Sequence, residues 1–497
     1  MAYIHLKRYE QAKADAEASL LPETSEMVIN AKSYYRAALA SYELRDYHEA
    51  RRCFEAARKR NAADPATERE YKRTIARVLE QQMGKYDFGV MADSVSQKHR
   101  RLDHASYTAN VEVRAAPGRG MGLFASRRIK AGDLVFLEKA YCVAHDTDDG
   151  ATMSLTVNLN TNTTSTGPHA TLLVHTVQHI LRNPQHGSQL MELYDRDYPN
   201  KTSSAFDRKP VVDVSRVHQI LGSNQFGCPS LRTTDDLTSG QLKGIALDSE
   251  ITSSVGTWVM ASRMNHACDA NTLRAFIGDM MIVQATKDIA AGAEIFTVYT
   301  RHEGNQTKLQ ESLRHWGFQC YCGICVAEES NKVKQIKRVR LVEEADMFFK
   351  QHAKWMQSPV GMPTSLLQQP EGICSRLEAA YDIDTFKGRP RLGLCRIGLW
   401  IARVYLNQKK YNKVTTKALA VLRDYGYFTS IAGDTITIDR SACQLSPEVV
   451  DAAIYAVNAF QQRGNWGIAD DLQALARESY RVLYGTMKDV EKMHGRL

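Results

Sequence analysis

Cys320, Cys322 and Cys325 place three thiols within six residues, and this cluster constrains the fold more than any other stretch of the 497-residue chain. Thiols this close form either disulfides or a metal site, and the compartment decides between them. The N-terminal run Met1-Ala2-Tyr3-Ile4-His5-Leu6-Lys7-Arg8 is polar and lacks the apolar stretch of a signal peptide. No apolar run approaches the roughly 18 residues needed to cross a bilayer. The chain is therefore expected in the nucleus or cytoplasm rather than outside the cell, and the sequons at Asn162 and Asn200 are read as chance matches. In a reducing compartment the cluster points to zinc, which takes four ligands in a tetrahedron. The fourth must come from elsewhere, and Cys268 is the candidate. The plain alternative is a set of buried free cysteines that share this spacing by chance.

Around that site the texture is helical, then β-rich, then helical. Tyr34, Ala37, Ala38, Ser41, Tyr47, Ala50, Phe54 and Ala57 follow the small-and-aromatic offsets of a tetratricopeptide repeat, whose two helices approach closely where Ala lies at the crossing. Tyr9 and Ala12 repeat the positions of Tyr47 and Ala50, 38 residues earlier. Any Ala-rich amphipathic hairpin would give similar offsets. Residues 66–108 read as charged helix and linker. From Val111, β-prone runs over 122–125, 134–137, 280–285 and 295–298 alternate with turns at Gly132, Gly278 and Gly292. Residues 146–168 are rich in Thr and Asn and read as an exposed loop or a disordered insert, followed by helical patterning through Leu221. After Cys325 the helical texture is expected to hold to the C-terminus, as repeats or as a generic bundle. The net charge of +8 permits an acidic partner without arguing for one, and direct nucleic-acid binding is not indicated.

Three further segments of the β-rich part carry chemistry. Gly118-Arg119-Gly120-Met121-Gly122-Leu123-Phe124-Ala125 lets backbone approach a ligand, although a plain β-turn explains it equally. It lacks the following helix and acid of a dinucleotide site and the Lys-Ser/Thr of a phosphate loop. Arg263-Met264-Asn265-His266-Ala267-Cys268-Asp269-Ala270-Asn271 gathers two amides, an imidazole and a thiol. Gly292-Ala293-Glu294-Ile295-Phe296-Thr297-Val298-Tyr299 precedes Trp316-Gly317-Phe318 and the cysteine cluster.

In this order, over roughly residues 109–326, the four segments resemble SET-domain lysine methyltransferases with a post-SET zinc site. Ser223-Asn224-Gln225-Phe226 and the helices after the cysteines resemble the SET-and-MYND branch, but residues 145–222 hold no cysteine and so no MYND finger. The chain looks more like fungal-type proteins that join tetratricopeptide repeats to a split SET domain.

The resemblance implies an α+β multidomain fold, a β-rich SET core with a post-SET zinc site flanked by N- and C-terminal helical regions. Its parts would be repeat-like helices over 1–90, a helical linker over 91–108, the core over 109–144 and 223–300, an insert over 145–222, the zinc segment over 301–330 and a helical domain over 331–497. It implies S-adenosylmethionine as cofactor, held by the backbone of Gly120, Met121 and Gly122, by Asn265 and His266, and by Asn224 at its amino-acid end. Phe318 would stack on or near the adenine, and Tyr299 would sit where the methyl donor meets the lysine nitrogen. Cys268, Cys320, Cys322 and Cys325 would hold one structural zinc. Ala270 stands where the family usually has Pro, which loosens a turn without removing a functional group. The implied substrate is a protein lysine, on a histone or another protein, and the helical repeats would offer a surface to a protein partner.

Two rivals are a scaffold protein with a catalytically weak SET domain and a zinc hydrolase. The intact Asn265, His266 and Tyr299 argue against the first, and four thiolates that close the metal argue against the second. At the N-terminus, the repeat around Tyr47 should begin its first helix near residue 31, so the copy around Tyr9 would need a helix before Met1. Either sequence is missing upstream, or a neighbouring domain covers the face that helix would cover.

Overall fold

The computed structural model describes residues 1–22, 27–96, 99–145, 148, 155–159, 163–199, 205–206, 209–228, 254–352, 366–488 and 490. The sequons at Asn162 and Asn200, and residues 229–253 of the expected second core segment, lie outside them.

The N-terminal helices are α1 (Ala2–His5), α2 (Tyr9–Ala18), α3 (Met27–Glu43), α4 (Tyr47–Arg60), α5 (Pro65–Met83) and α6 (Phe88–Ser94). Ala38 of α3 and Ala50 of α4 are fully buried, and Tyr42 meets Tyr47 edge-on at 5.1 Å. Each small residue lets the facing helix approach, and the aromatic rings fill the space left beside it. α3 begins four residues before the position read from the repeat spacing. α1 is a single turn, and the chain around it is held by the insert. Asn183 accepts from the Tyr9 amide at 2.8 Å and donates to the Lys7 carbonyl at 3.0 Å. Glu10 accepts from the His186 amide at 2.7 Å.

The expected helical linker over 91–108 is helical only to Ser94. Beyond it the backbone is extended because its polar groups are taken by the core. Leu102 donates to Asp279 at 2.8 Å, and Tyr107 bridges to Leu137 in both directions.

The core is built from three small sheets. The strands are β1 (Val111–Ala116), β2 (Gly120–Ala125), β3 (Leu134–Lys139), β4 (Cys142–His145), β5 (Leu155–Asn158), β6 (Thr163–Thr166), β7 (Ala205–Phe206), β8 (Lys209–Pro210), β9 (Gln225–Cys228), β10 (Ser254–Thr257), β11 (Asn265–His266), β12 (Thr272–Ile277), β13 (Met280–Ala285) and β14 (Glu294–Thr297). The sheets run β1-β2-β14-β11, β4-β10-β9 and β12-β13-β3. Every residue of β13 is buried, which accounts for its apolar run over 280–283, and the buried Gln284 donates to the Gly132 carbonyl. Part of the Thr/Asn-rich stretch read as an exposed loop or disordered insert is exposed but forms the β5–β6 hairpin, where Val157 pairs with Thr164 across the strands. The insert then forms α7 (Pro168–Arg182), α8 (Pro184–Met191) and α9 (Val214–Asn224).

After the core come α10 (Gln306–Leu313), α11 (Gly323–Glu329), α12 (Lys332–Gln351), α13 (Gln368–Ala380), α14 (Cys395–Asn407), α15 (Tyr411–Asp424), α16 (Pro447–Gln462) and α17 (Trp466–Tyr484). The expected all-helical C-terminal region is interrupted by a hairpin of β15 (Phe428–Ala432) and β16 (Thr435–Asp439). Its Thr-Ile alternation suits a strand, and Gly433 turns the chain at φ +62°. α17 closes back on the core. Arg481 donates to the Gly132 carbonyl at 2.9 Å, and a Cβ at Gly132 would lie 2.7 Å from Glu478 Oε1. Among the described residues no helix is long and apolar enough to cross a membrane.

Glu138, at the end of β3, sets the approach to the Asn-His segment. Its buried carboxylate accepts the amides of Met260 and Ala261 at 2.8 and 2.9 Å, fixing the turn that leads into β11. Burial pushes its pKa up to about 7, and the two amide donors oppose that shift. The folded state therefore keeps a proton that an unfolded glutamate loses near pH 4.3. The stability that this proton contributes is lost as the pH rises from about 4.3 to about 7. In Glu138→Gln this titration is gone, so the stability advantage of wild type over variant should shrink across that window. Urea midpoints at several pH values measure it; a constant difference would contradict the assignment.

Candidate active site and metal centre

The glycine segment forms a ledge. Gly118 and Gly120 adopt φ of +71° and +73°, and a Cβ on either would meet no atom within 4 Å. Gly122 differs: a Cβ there would lie 2.9 Å from Glu294 Oε1 and 3.1 Å from Asn265 Nδ2. Its missing side chain makes room for the bond from Asn265 Nδ2 to Glu294 Oε1 at 2.8 Å. The same amide lies 3.4 Å from the carbonyl of Met121, whose side chain is exposed. Arg119 closes the other side of Glu294 at 2.6 Å. Gly120, Met121, Gly122 and Asn265 thus share one open edge.

β11 pairs in parallel with β14 over two positions only, Asn265 with Phe296 and His266 with Thr297. Side chains extend this short ladder. Asn271 donates to the Glu294 carbonyl at 2.8 Å and accepts the Phe296 amide at 2.9 Å, and Thr272 donates to the Phe296 carbonyl at 2.7 Å.

His266 is buried, and both of its ring nitrogens are engaged. Nδ1 accepts the Tyr299 amide at 3.0 Å, which leaves the hydrogen on Nε2, 3.5 Å from Cys268 Sγ. Its ring can therefore brace the site, with both nitrogens already engaged within the protein. Tyr299 donates its hydroxyl hydrogen to the Met264 carbonyl at 2.7 Å. Burial raises its phenol above the ordinary range, so it remains a neutral hydroxyl near pH 7. Trp316 and Phe318 pack around the Tyr299 ring at 5.2 and 6.0 Å, and Phe318 also lies 5.9 Å from His266.

Beside Tyr299 lies a cavity of about 120 Å³ lined by residues that include Asn224, Phe226, Met264, Arg274 and Trp316. Asn224 ends α9, and its Nδ2 is spent on the carbonyls of Tyr194 and Ile220, so its amide oxygen is what it can offer a ligand. The structure thus divides the expected residues between an open ledge and a cavity, with His266 and Phe318 between them. Asn271 and Glu294 entered the sequence reading only as members of its motifs, without a role, and Glu138 and Arg274 were not singled out. An arginine between Leu273 and Ala275-Phe276-Ile277 in a β-prone run was a usable signal for the last.

Cys268, Cys320, Cys322 and Cys325 bring their sulfurs within 4.8 Å of one another, a set that could hold a metal ion. Cys268 lies 3.9 Å from Cys320 and 3.6 Å from Cys325. A zinc ion bound at about 2.3 Å by four thiolates requires sulfurs about 3.8 Å apart, so the spacing fits. A disulfide would need about 2.05 Å, and all ten cysteines are free. Gln310 fixes Cys320 from outside through its amide and carbonyl, at 3.1 and 2.9 Å.

Residues 120–300 match the family model described as SET domain. A protein of Gibberella zeae described as "Methyltransferase" is 31% identical over 353 residues, 69% of this chain and 47% of that protein. "Histone-lysine N-methyltransferase set5" of Schizosaccharomyces pombe is 39% identical over 88 residues, 17% of this chain and 27% of the relative. "N-lysine methyltransferase SMYD2-B" of Xenopus laevis is 25% identical over 128 residues, 24% and 29% of the two chains. The chain spans about half the length of the first of these relatives and less of the others. Among solved structures, "Crystal structure of the SET domain of LSMT bound to Lysine and AdoHcy" aligns with 87% of this chain and 97% of its own at 12% identity, with a TM-score of 0.26. The matched stretch runs from the glycine strand through Asn265 and His266 to just past Tyr299, and on it the chain carries a SET domain.

Proposed function

We propose that the protein is a protein-lysine N-methyltransferase that uses S-adenosylmethionine. The observation that carries this reading is the engagement of Tyr299: within a SET domain, its hydroxyl hydrogen is committed to Met264 and its oxygen is left as an acceptor beside a cavity of mixed lining, with Phe226, Met264 and Trp316 next to Asn224 and Arg274. S-adenosylmethionine, when bound, supplies a methyl group on a sulfonium. The chain's residues suit it at two places: the bare ledge at Gly120–Gly122 beside Asn265, and the amide oxygen of Asn224. Phe318 offers a ring for the adenine.

A free lysine is protonated at neutral pH and has no lone pair with which to attack. Phe226, Met264 and Trp316 disfavour a charged ammonium in the cavity and so favour the neutral amine. Tyr299 oxygen would accept an amine N–H and aim the nitrogen lone pair away from itself, toward the methyl donor. Because burial raises its phenol pKa, Tyr299 orients the amine rather than removing its proton. The four cysteines would hold one structural zinc, tying the segment after Tyr299 to the Asn-His segment.

The helical regions over 1–90 and 331–497 are proposed as tetratricopeptide-like surfaces for a protein partner. The relatives include a histone methyltransferase and an N-lysine methyltransferase. They support a protein substrate, histone or not, and a place in the nucleus or cytoplasm.

Transfer of labelled methyl groups from S-adenosylmethionine to proteins of a cell extract tests the reading. Tyr299→Phe should lower that transfer by on the order of 100-fold while leaving cofactor affinity unchanged. Full activity in the variant would remove Tyr299 from the site.

Protein purified without chelator should hold one zinc per chain, and Cys325→Ser should lose metal and stability in parallel. Elemental analysis that finds no zinc would refute the metal assignment.

A further inference from the structure

Arg274 stands in the middle of β12 and lines the cavity beside Tyr299. Among the described residues only one of its guanidinium nitrogens finds a partner: Nη1 donates to the Val298 carbonyl at 2.9 Å and to Thr297 Oγ1 at 3.3 Å. The Phe226 ring lies 5.3 Å from the guanidinium carbon. Among the described residues no carboxylate is within ion-pair distance, and the nearby Arg301 adds a second positive charge. Other substantially buried arginines are arranged differently. Arg77, Arg216, Arg338 and Arg391 hold Glu80, Asp195, Glu328 and Asp424 at 2.6, 2.8, 2.7 and 2.5 Å. Burial lowers the pKa of Arg274 to about 10, so it stays a cation at neutral pH.

Burying a cation without a counter-charge is unfavourable, and an anion that enters with a ligand relieves it. The free edge formed by Nε and Nη2 matches a carboxylate, which accepts two parallel N–H bonds in one plane. The cavity, about 120 Å³, is of a size for the end of a side chain. We propose that Arg274 is a carboxylate receptor in the catalytic cavity. The proposal rests on the methyltransferase reading and deepens it. The carboxylate comes from one of two sources, the amino-acid end of S-adenosylmethionine or an Asp or Glu side chain next to the target lysine. In the second case Arg274 selects substrates: an acidic neighbour pairs with it, whereas a basic neighbour is repelled.

Full-length wild type and Arg274→Gln are compared in two measurements. Calorimetry uses S-adenosylmethionine and its decarboxylated analogue. Methylation uses peptides with one lysine flanked by Asp or Glu, by Ala, or by Arg. If the cofactor supplies the carboxylate, Arg274→Gln weakens S-adenosylmethionine binding at least about tenfold and leaves the analogue unaffected. If the substrate supplies it, cofactor affinity is unchanged, and a preference of wild type for acid-flanked peptides of about tenfold in kcat/KM disappears in the variant. A folded Arg274→Gln protein with neither change overturns the proposal. Should that variant fail to fold, Arg274→Lys serves instead; it keeps the charge but cannot make the two parallel bonds, so an unchanged profile also overturns the proposal. Wild type that neither binds S-adenosylmethionine nor methylates any peptide marks failure of the underlying reading, a result visible without any variant.

Discussion

The imidazole of His266 accepts the Tyr299 amide through Nδ1 and turns Nε2 toward Cys268, and much of the site's order follows from this double engagement. Parallel pairing of β11 with β14 covers two positions, too few to hold strands in register unaided. The ring adds a bond where the ladder stops, at the residue whose hydroxyl faces the cavity. Its fixed tautomer relates the thiol cluster to Tyr299, as outer-shell partners relate metal ligands to a reacting group. Asn271 and Thr272 repeat the device on the other flank, with side chains completing a ladder that the backbone leaves short.

How much could be read beforehand depended on the range of the interaction. The three clustered cysteines needed only a local pattern, and chemistry required a fourth ligand, so the convergence on Cys268 was legible. Gly120, Asn265, His266 and Tyr299 were legible as members of ordered motifs; that the first two share a ledge while Tyr299 faces a cavity was not. That division depends on Glu294 reaching Asn265 across strands, a contact without local signature. Glu138 looks like an ordinary strand residue and Arg274 stands out only against its apolar neighbours; the importance of both comes from what packs over them. The β15–β16 hairpin was legible in principle, since Thr and Ile alternate over 435–438 just after Gly433-Asp434, but a long helical context concealed it. The extended backbone of 99–108 was not, because it is drawn out of helix by Asp279 and Leu137 of the core.

The helical regions are joined to the core by polar clasps. Arg45, at φ +64° in the α3–α4 turn, donates to the carbonyls of Lys139 and Ala140. Arg338 and Glu328, both almost fully buried, join α11 to α12, and Arg338 also donates to the Ala380 carbonyl at the end of α13. Lys488 pairs with Asp93 at 2.6 Å, so the segment after α17 meets α6. Such contacts specify geometry more than they add stability, since each charge gives up water to form them.

Asn183 also imposes an order in time. Its side chain binds the Lys7 carbonyl across a separation of 176 residues. At roughly 5–20 residues per second, a ribosome takes about ten to thirty-five seconds to make the stretch between these partners. Through that interval the N-terminal helices leave the exit tunnel without the surface that Asn183, Gln185 and His186 later present to them. The polar groups of Lys7, Tyr9 and Glu10 thus stay without these partners until residues 183–186 have been made.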